Sequence, residues 1–398
     1  MHICFVSPTS IADKSNWGGI HTHTKMISDI LSGAGIEVTL ITAESESGLS
    51  CTKVGEVDII AVPGSRTRSF DDNWIKGVQD IAVRVHKEKP FDFIFSQSYW
   101  AYGLHRCAPL RDVPVFTFVH NYHLIHFQKN FVEIKGLRSL ASYLIKTVPK
   151  LIYRMFTYEI PFSHSCRYVI TGSDINAKYL RRIYRIPERK LKVIYNSVDT
   201  DTFKPDGSMR AEARRELNVA DNVFVFLFAG AIWKPKGCHI AVKAFGSFCR
   251  KFPNALLILA GEGPDKSDIQ RLLATQEHLR DKVRFYGSSP HQDLPRLFNA
   301  ADVFLTPTLF YEVLSYSLVE AMSCGLPCIT TSVWGNIEAI GDAGMLVKPN
   351  DADALSDAML FIAQNQEKRR EFSNAARRRV LDNYSSSTAG KDLLALIK

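Results

Sequence analysis

The sequence predicts an α/β protein made of two Rossmann-like halves, and three observations carry that expectation. Short apolar runs of strand length recur through both halves, with helical stretches between most of them. The 398 residues exceed what one hydrophobic core organises, so two or three domains are expected. No low-complexity tract or convincing internal repeat points to a fibrous, repetitive or disordered chain, and the apolar fraction of 46% is ordinary for a globular one.

The elements follow in order. "HICFVSP" and "IEVTLIT" read as strands flanking a helix, "GGIHTHTKMISDILSGAG". That helix opens on Gly18 and Gly19 and closes on Gly33 and Gly35, residues suited to a helix C-terminus. "VDIIAVP", "FDFIFSQ", "VPVFTFVH", "RYVITGS" and "KLKVIYN" supply further strands. The second half repeats the pattern with "VFVFLFAG", "ALLILAGEG", "KVRFYGS", "ADVFLTP" and "LPCITTS". Strands joined through helices imply parallel sheets covered on both faces. "NSVDTDTFKPDGS", rich in turn formers, is the linker candidate. The expected domains are residues 1–190 and 191–380, with a tail at 381–398 crossing back to the first. Ligands are then expected in a cleft between facing domains, beyond the carboxyl ends of the strands.

Composition narrows the function classes. The longest apolar run, "VFVFLFAGAIW", covers about eleven residues where a membrane-spanning helix needs about twenty. The start "MHICFVSPTS" reads as a strand and not as a leader, so a cytoplasmic chain is expected. Eight cysteines without a Cys-x-x-Cys spacing suit reduced, mostly buried thiols. The net charge is +8, and residues 121–192 alone hold 14 Lys/Arg against 4 Asp/Glu. The basic character is therefore local, which suggests an anionic ligand or surface there. No helix-turn-helix or aromatic-rich RNA motif accompanies it, so a nucleic-acid partner is not expected.

Chemistry concentrates in "FYEVLSYSLVEAMSCGLPCI". An apolar helix excludes charge unless something compensates it, yet this one keeps Glu312 and Glu320. Ser315 is the expected N-cap, with Glu312 just before the helix and Glu320 within it. Eight residues of helical rise cover about 12 Å, close to the span of a nucleotide-diphosphate sugar. The helix start would offer amides to an anion. Both glutamates being solvated, or paired to arginine, is the competing reading of that segment alone.

The segment resembles the Glu-x7-Glu signature of glycosyltransferase family 4, retaining enzymes of the GT-B fold. "WGGIHTHTKMISDILSGAGIEVTLIT" is similar to the family's opening glycine helix and second strand. "LKVIYNSVDTDTFKP" is similar to its Asn-Gly-Val-Asp stretch, with Ser197 for glycine. "LFAGAIWKPKGCHIAVKAF", "LLILAGEGP" and "VRFYGSSPHQDLPRLFNAADVFLTPT" follow in the family's order, so the resemblance covers nearly the whole chain.

The resemblance implies transfer of a hexose or related sugar from a UDP- or GDP-linked donor to a hydroxyl of a glycan, lipid-linked or small-molecule acceptor, with retained anomeric configuration and no obligatory metal or other cofactor. It places Gly18 and Gly19 near the donor phosphates, Lys236 against the diphosphate, Glu312 and His120 at the hexose, and Glu320 on the ribose. Val313, Leu314 and Ser315 stand where the family has Gly-Phe-Gly, and Gly287 and Ser288 lie where the base is read through backbone groups. Ala231 replaces a common arginine, which removes a bidentate phosphate clamp; Lys234 is the nearby substitute. That loss motivates the alternative, a nucleotide-sugar-binding protein of impaired turnover.

His123 and His126 follow His120 at three-residue spacing, so a metal site is the rival reading of these histidines. His21 and His23 are expected on a helix surface. Within residues 135–190, Lys146, Lys150 and Arg154 recur every four residues beside apolar positions. A solvated basic face is one reading; peripheral docking on the anionic inner face of a membrane is the other. Pro149 is expected to kink or break that helix.

Overall fold

A computed structural model describes residues 1–13, 18–44, 51–67, 69–120 and 140–398. The described residues up to Tyr195, together with Ala389–Lys398, form one compact unit, and Asn196–Thr388 form a second.

The first unit holds an eight-stranded sheet. Its strands are β1 (His2–Ser7), β2 (Glu37–Ala43), β3 (Cys51–Val54), β4 (Val57–Val62), β5 (Phe93–Gln97), β6 (Val115–Val119), β7 (Tyr168–Thr171) and β8 (Leu191–Val193), in the order β3-β4-β2-β1-β5-β6-β7-β8. Every pairing is parallel except β3 with β4, which corrects the all-parallel expectation. Only Gly55 and Glu56 separate those two strands, and a connection that short can only fold back. Gly55 takes the left-handed conformation the turn needs (φ 58°). The helix Gly19–Gly33 lays Ile27 and Leu31 on Ile3, Phe5, Val38 and Leu40. Ala389, Leu393 and Ile397 of the last helix, Ser386–Ile397, join the same core.

The second unit's sheet comprises β9 (Phe224–Ala229), β10 (Ala255–Ala260), β11 (Val283–Gly287), β12 (Val303–Thr306), β13 (Cys328–Thr331) and β14 (Gly344–Val347), all parallel, in the order β11-β10-β9-β12-β13-β14. The chain moves outward from β9 to β11, then returns to place β12 on the other side of β9. Connections leaving β9 and β12 therefore run opposite ways and open a crevice at the carboxyl ends of those two strands. In the first unit β1 and β5 stand in the same relation.

The turn-rich stretch after Asn196 is no loose linker. Val198 and Phe203 are buried, Val198 bridges to Ser385, and Arg377 donates to the carbonyls of Thr200 and Phe203. Apolar residues spaced through polar ones anchor it, a pattern that turn composition conceals. Six of the eight cysteines are buried, and all are free thiols.

Candidate active site

In the second unit the crevice is built by the segments following β9 and β12. The first forms a single tight turn at Lys234–Lys236 and then passes Gly237, whose φ of 76° is left-handed. A Cβ on Gly237 would sit 1.8 Å from the Pro307 carbonyl oxygen, so only glycine lets the two segments meet. The Pro235 carbonyl fastens them, accepting from the Leu309 amide (2.8 Å) and the Thr308 hydroxyl (3.1 Å). This juxtaposition brings Lys236 to Glu312: the ammonium donates to Glu312 Oε1 and lies 5.5 Å from the Phe310 ring centroid.

Glu312 is only 8% exposed, and its second oxygen, Oε2, is buried with no hydrogen-bond partner. A carboxylate oxygen in that state is costly, by about 1–3 kcal/mol for an ordinary polar group, unless a ligand completes it. The backbone here is held from both sides. The Gly335 amide donates to the Glu312 carbonyl (3.0 Å), and Asn196 Nδ2 donates to the Leu314 carbonyl (3.0 Å). Val313, Leu314 and Ser315 are buried, and none has positive φ.

Ser315 does occupy the N-cap of the helix Tyr316–Ser323, in extended conformation. Its hydroxyl makes no cap bond, which corrects the expected role; it lies 3.3 Å from Ser317 Oγ instead. The first-turn amides are thus left without a side-chain cap. Glu320, 3% exposed, bonds His291 Nε2 at 2.7 Å. The His291 ring packs on Phe203, 5.2 Å between centroids. Nothing in "SSPHQDLP" flags His291 as a site residue, because a lone histidine after a strand has no readable partner. Gly287 ends β11 with φ 88°, and Ser288 is exposed three residues before His291, so one loop connects the base-side candidates to Glu320. Tyr316, whose hydroxyl is buried without a partner, has its phenol pKa pushed up by burial and then by Glu320.

Ala231 is exposed. Lys234, its expected substitute, is committed elsewhere: its ammonium is 3.3 Å from Asp268 and 4.0 Å from Asp265. Phosphate contact from Lys234 would therefore break existing ion pairs.

In the first unit, Gly18 caps the helix beginning at Gly19, in extended backbone without a side-chain bond. His21 and His23, expected at the surface, are 1% and 3% exposed. The helix buries a polar edge of His21, His23, Thr24 and Ser28 beside its apolar one, and apolar periodicity cannot reveal that edge. His23 sits face-to-edge with His120, ring centroids 4.2 Å apart. Burial, then the neighbouring His120, holds His23 well below the usual imidazole range, and burial lowers His120 to about 4. His123 and His126 lie outside the described residues. Among the described residues no three His, Cys, Asp or Glu side chains group as metal ligands would.

These shifts predict an acid-labile fold. An unfolded histidine titrates near 6.5, so between pH 6.5 and about 4 the unfolded chain binds protons that folded His120 refuses. Stability is complete above this window and is lost as pH falls through it; burial gives His2, His105 and His239 the same sign. The thermal midpoint should drop between pH 7 and 5, and His23→Gln should flatten that slope. A midpoint independent of pH over this range contradicts neutral burial.

The chain is similar to known proteins. Residues 17–202 match the family described as Glycosyltransferase Family 4, and residues 209–379 that of Glycosyl transferases group 1. An uncharacterised glycosyltransferase of Methanocaldococcus jannaschii is 30% identical over 270 residues, 67% of each chain. The D-inositol 3-phosphate glycosyltransferase of Saccharomonospora viridis is 30% identical over 264 residues, 64% of this chain but only 59% of its own length. Among solved structures, the Anabaena protein HepE in complex with UDP-glucose has a TM-score of 0.72 at 18% identity, over 100% of this chain and 99% of its own. The likeness shows the fold: two Rossmann-like units of GT-B type.

Proposed function

Since the chain belongs to glycosyltransferase family 4, we propose that it moves a hexose from a nucleotide-diphosphate sugar to a hydroxyl acceptor with retention of configuration. In this reading the acceptor oxygen bonds to the anomeric carbon as the bond to the diphosphate breaks. The departing diphosphate takes the acceptor's proton, so the protein supplies charge and position more than covalent chemistry. Lys236 and the uncapped first-turn amides of Tyr316–Ser323 offset charge on the leaving group. Glu312 Oε2 accepts from a hexose hydroxyl, and Glu320, steadied by His291, accepts from the ribose. Gly287 and Ser288 lie on the base side. Gly18 and Gly19 are assigned to the diphosphate, and His120 to the hexose, on the family resemblance alone.

The observation that carries this reading is the unpartnered, buried Glu312 oxygen beside a cation, at the crevice where strand order reverses. UDP is the nucleotide to test first, because the Anabaena neighbour was solved with UDP-glucose. UDP-, GDP- and ADP-sugars should be incubated with the protein in EDTA and the released nucleotide detected. Release from one donor class, undiminished by EDTA, is expected. Tight donor binding without release favours the impaired-turnover alternative, and failure to bind any donor sinks both.

The reading extends to peripheral docking on the cytoplasmic face of a membrane. Leu144, Ile145, Ile152, Tyr153 and Phe156 are exposed, five of the fourteen exposed large apolar side chains among the described residues. Ile145 is 73% and Phe156 62% exposed. Lys146, Lys150 and Arg154 interleave with them, and the one acid between Tyr143 and Ser165, Glu159, is buried and accepts from the Tyr184 hydroxyl. Two π-helical turns, Tyr143–Thr147 and Met155–Glu159, flank the helix Val148–Arg154, and Pro149 sits in its first turn. Residues 140–165 are helical without a gap, so Pro149 does not end the helix; the expected disturbance takes the form of the π-helical turn Tyr143–Thr147 directly before it. Apolar side chains among cations fit an anionic bilayer. The protein should sediment with phosphatidylglycerol vesicles and not with phosphatidylcholine ones, and Ile145→Asp with Phe156→Asp should abolish this. Equal sedimentation of wild type and variant would contradict it.

A further inference from the structure

Gln97 ends β5 beside the switch strand β1, and its side chain is wholly buried between two histidines. Both ends of the amide are committed. Nε2 lies 3.0 Å from Thr24 Oγ1 and 2.9 Å from His23 Nδ1, while Oε1 lies 2.7 Å from His120 Nε2.

The direction of each bond follows from the far end of the chain of contacts. Thr24 Oγ1 lies 3.0 Å from Ser7 Oγ, which can donate or accept, and gives its one hydroxyl proton to the Ile20 carbonyl at 2.8 Å, an oxygen that can only accept. The Thr24 oxygen must then accept from Gln97, which fixes the NH2 group on that side and the carbonyl oxygen on the other. A carbonyl facing His120 can only accept, so His120 Nε2 must carry the proton. By the same reasoning His23 accepts at Nδ1 and carries its own proton on Nε2.

The turn that presents Gln97 is itself over-determined. Ser98 takes a left-handed conformation (φ 49°), which costs a non-glycine residue about 1–2 kcal/mol. Its amide donates to the Phe118 carbonyl (2.7 Å), and its carbonyl accepts from the Ser96 and Thr117 hydroxyls (2.7 Å each). Strain held by three bonds immediately after a buried amide marks a position that is kept for its geometry.

We infer that Gln97 is a positioning residue that locks His120 in the Nε2-protonated neutral tautomer and leaves Nδ1 as a hydrogen-bond acceptor for a sugar hydroxyl. The inference rests on the placement of His120 at the hexose given above. In its locked form His120 cannot act as a proton donor through Nδ1, so it reads a hydroxyl and does not protonate the leaving group. Loss of the lock lets the imidazole populate the other tautomer, whose Nδ1–H repels that same hydroxyl proton.

The test is long-range 1H–15N correlation on protein labelled at histidine, with the His120 signal identified by its absence in His120→Gln. The wild type should show a protonated Nε2 and a bare Nδ1. Gln97→Leu should scatter that signal between tautomers and slow transfer about tenfold, the equivalent of one hydrogen bond. Thr24→Val, which keeps Gln97 but removes the hydroxyl that orients its amide, should scatter the same signal with little loss of packing. A wild-type His120 protonated at Nδ1, or a Gln97→Leu protein with unchanged signal and rate, overturns the inference. If no donor is turned over but the signature and its response to Gln97→Leu are as stated, the tautomer lock stands and the hexose placement falls.

Discussion

Glu312→Ala should abolish sugar transfer while leaving nucleotide binding nearly intact. The carboxylate touches no element of the nucleotide side in the present reading; it holds Lys236 through Oε1 and keeps Oε2 for the sugar. Removing a charged group whose bonds form fully only as the transition state develops typically costs about 100-fold to 1000-fold in rate. Glu312→Gln should be nearly as severe, because its NH2 would face either the ammonium or a hydroxyl proton's position. Calorimetric binding of UDP alongside a donor-consumption assay separates the two effects. Transfer at the wild-type rate in either variant would remove Glu312 from the site. Loss of nucleotide binding together with transfer would mean that the Lys236–Glu312 pair holds the crevice in shape before it holds any ligand.

The second large effect is one of stability. Gly237→Ala places a methyl group 1.8 Å from the Pro307 carbonyl oxygen and forces an L side chain into left-handed backbone. The backbone term alone is about 1–2 kcal/mol, and overpacking against immovable main chain adds about 1–3 kcal/mol. The urea midpoint, followed by tryptophan fluorescence, should fall well below that of the wild type. Gly33→Ala is the control: it lies in a helix with nothing within 4 Å of its added Cβ, so it should be neutral or slightly stabilising. Equal behaviour of the two variants would show that the β9 and β12 segments are not locked together at this glycine.

Much of the architecture was legible because buried parallel strands announce themselves as apolar runs, as in β9, β10 and β12. β3 and β14 were not, since four-residue strands at sheet edges carry little apolar signal. The pairing of Lys236 with Glu312 was readable only as two motifs; their meeting depends on the reversal of strand order and on Gly237. His23 was misplaced because a histidine in an amphipathic helix reads as polar surface, whereas here it completes a buried polar layer with Gln97 and His120. His291 and Gln97 escaped notice for a related reason. Each acts through partners distant in sequence, and one residue type at one position offers no spacing to read.

Ala389, Leu393 and Ile397 complete a core whose other walls include Ile3 and Phe5. During translation the opening strand therefore emerges long before the side chains that finish covering it. The N-terminal unit must wait, incompletely closed, while almost the entire second unit is synthesised. A nascent chain arrested before residue 389 should consequently leave that apolar patch available to chaperones, even if every other strand has already found its neighbour.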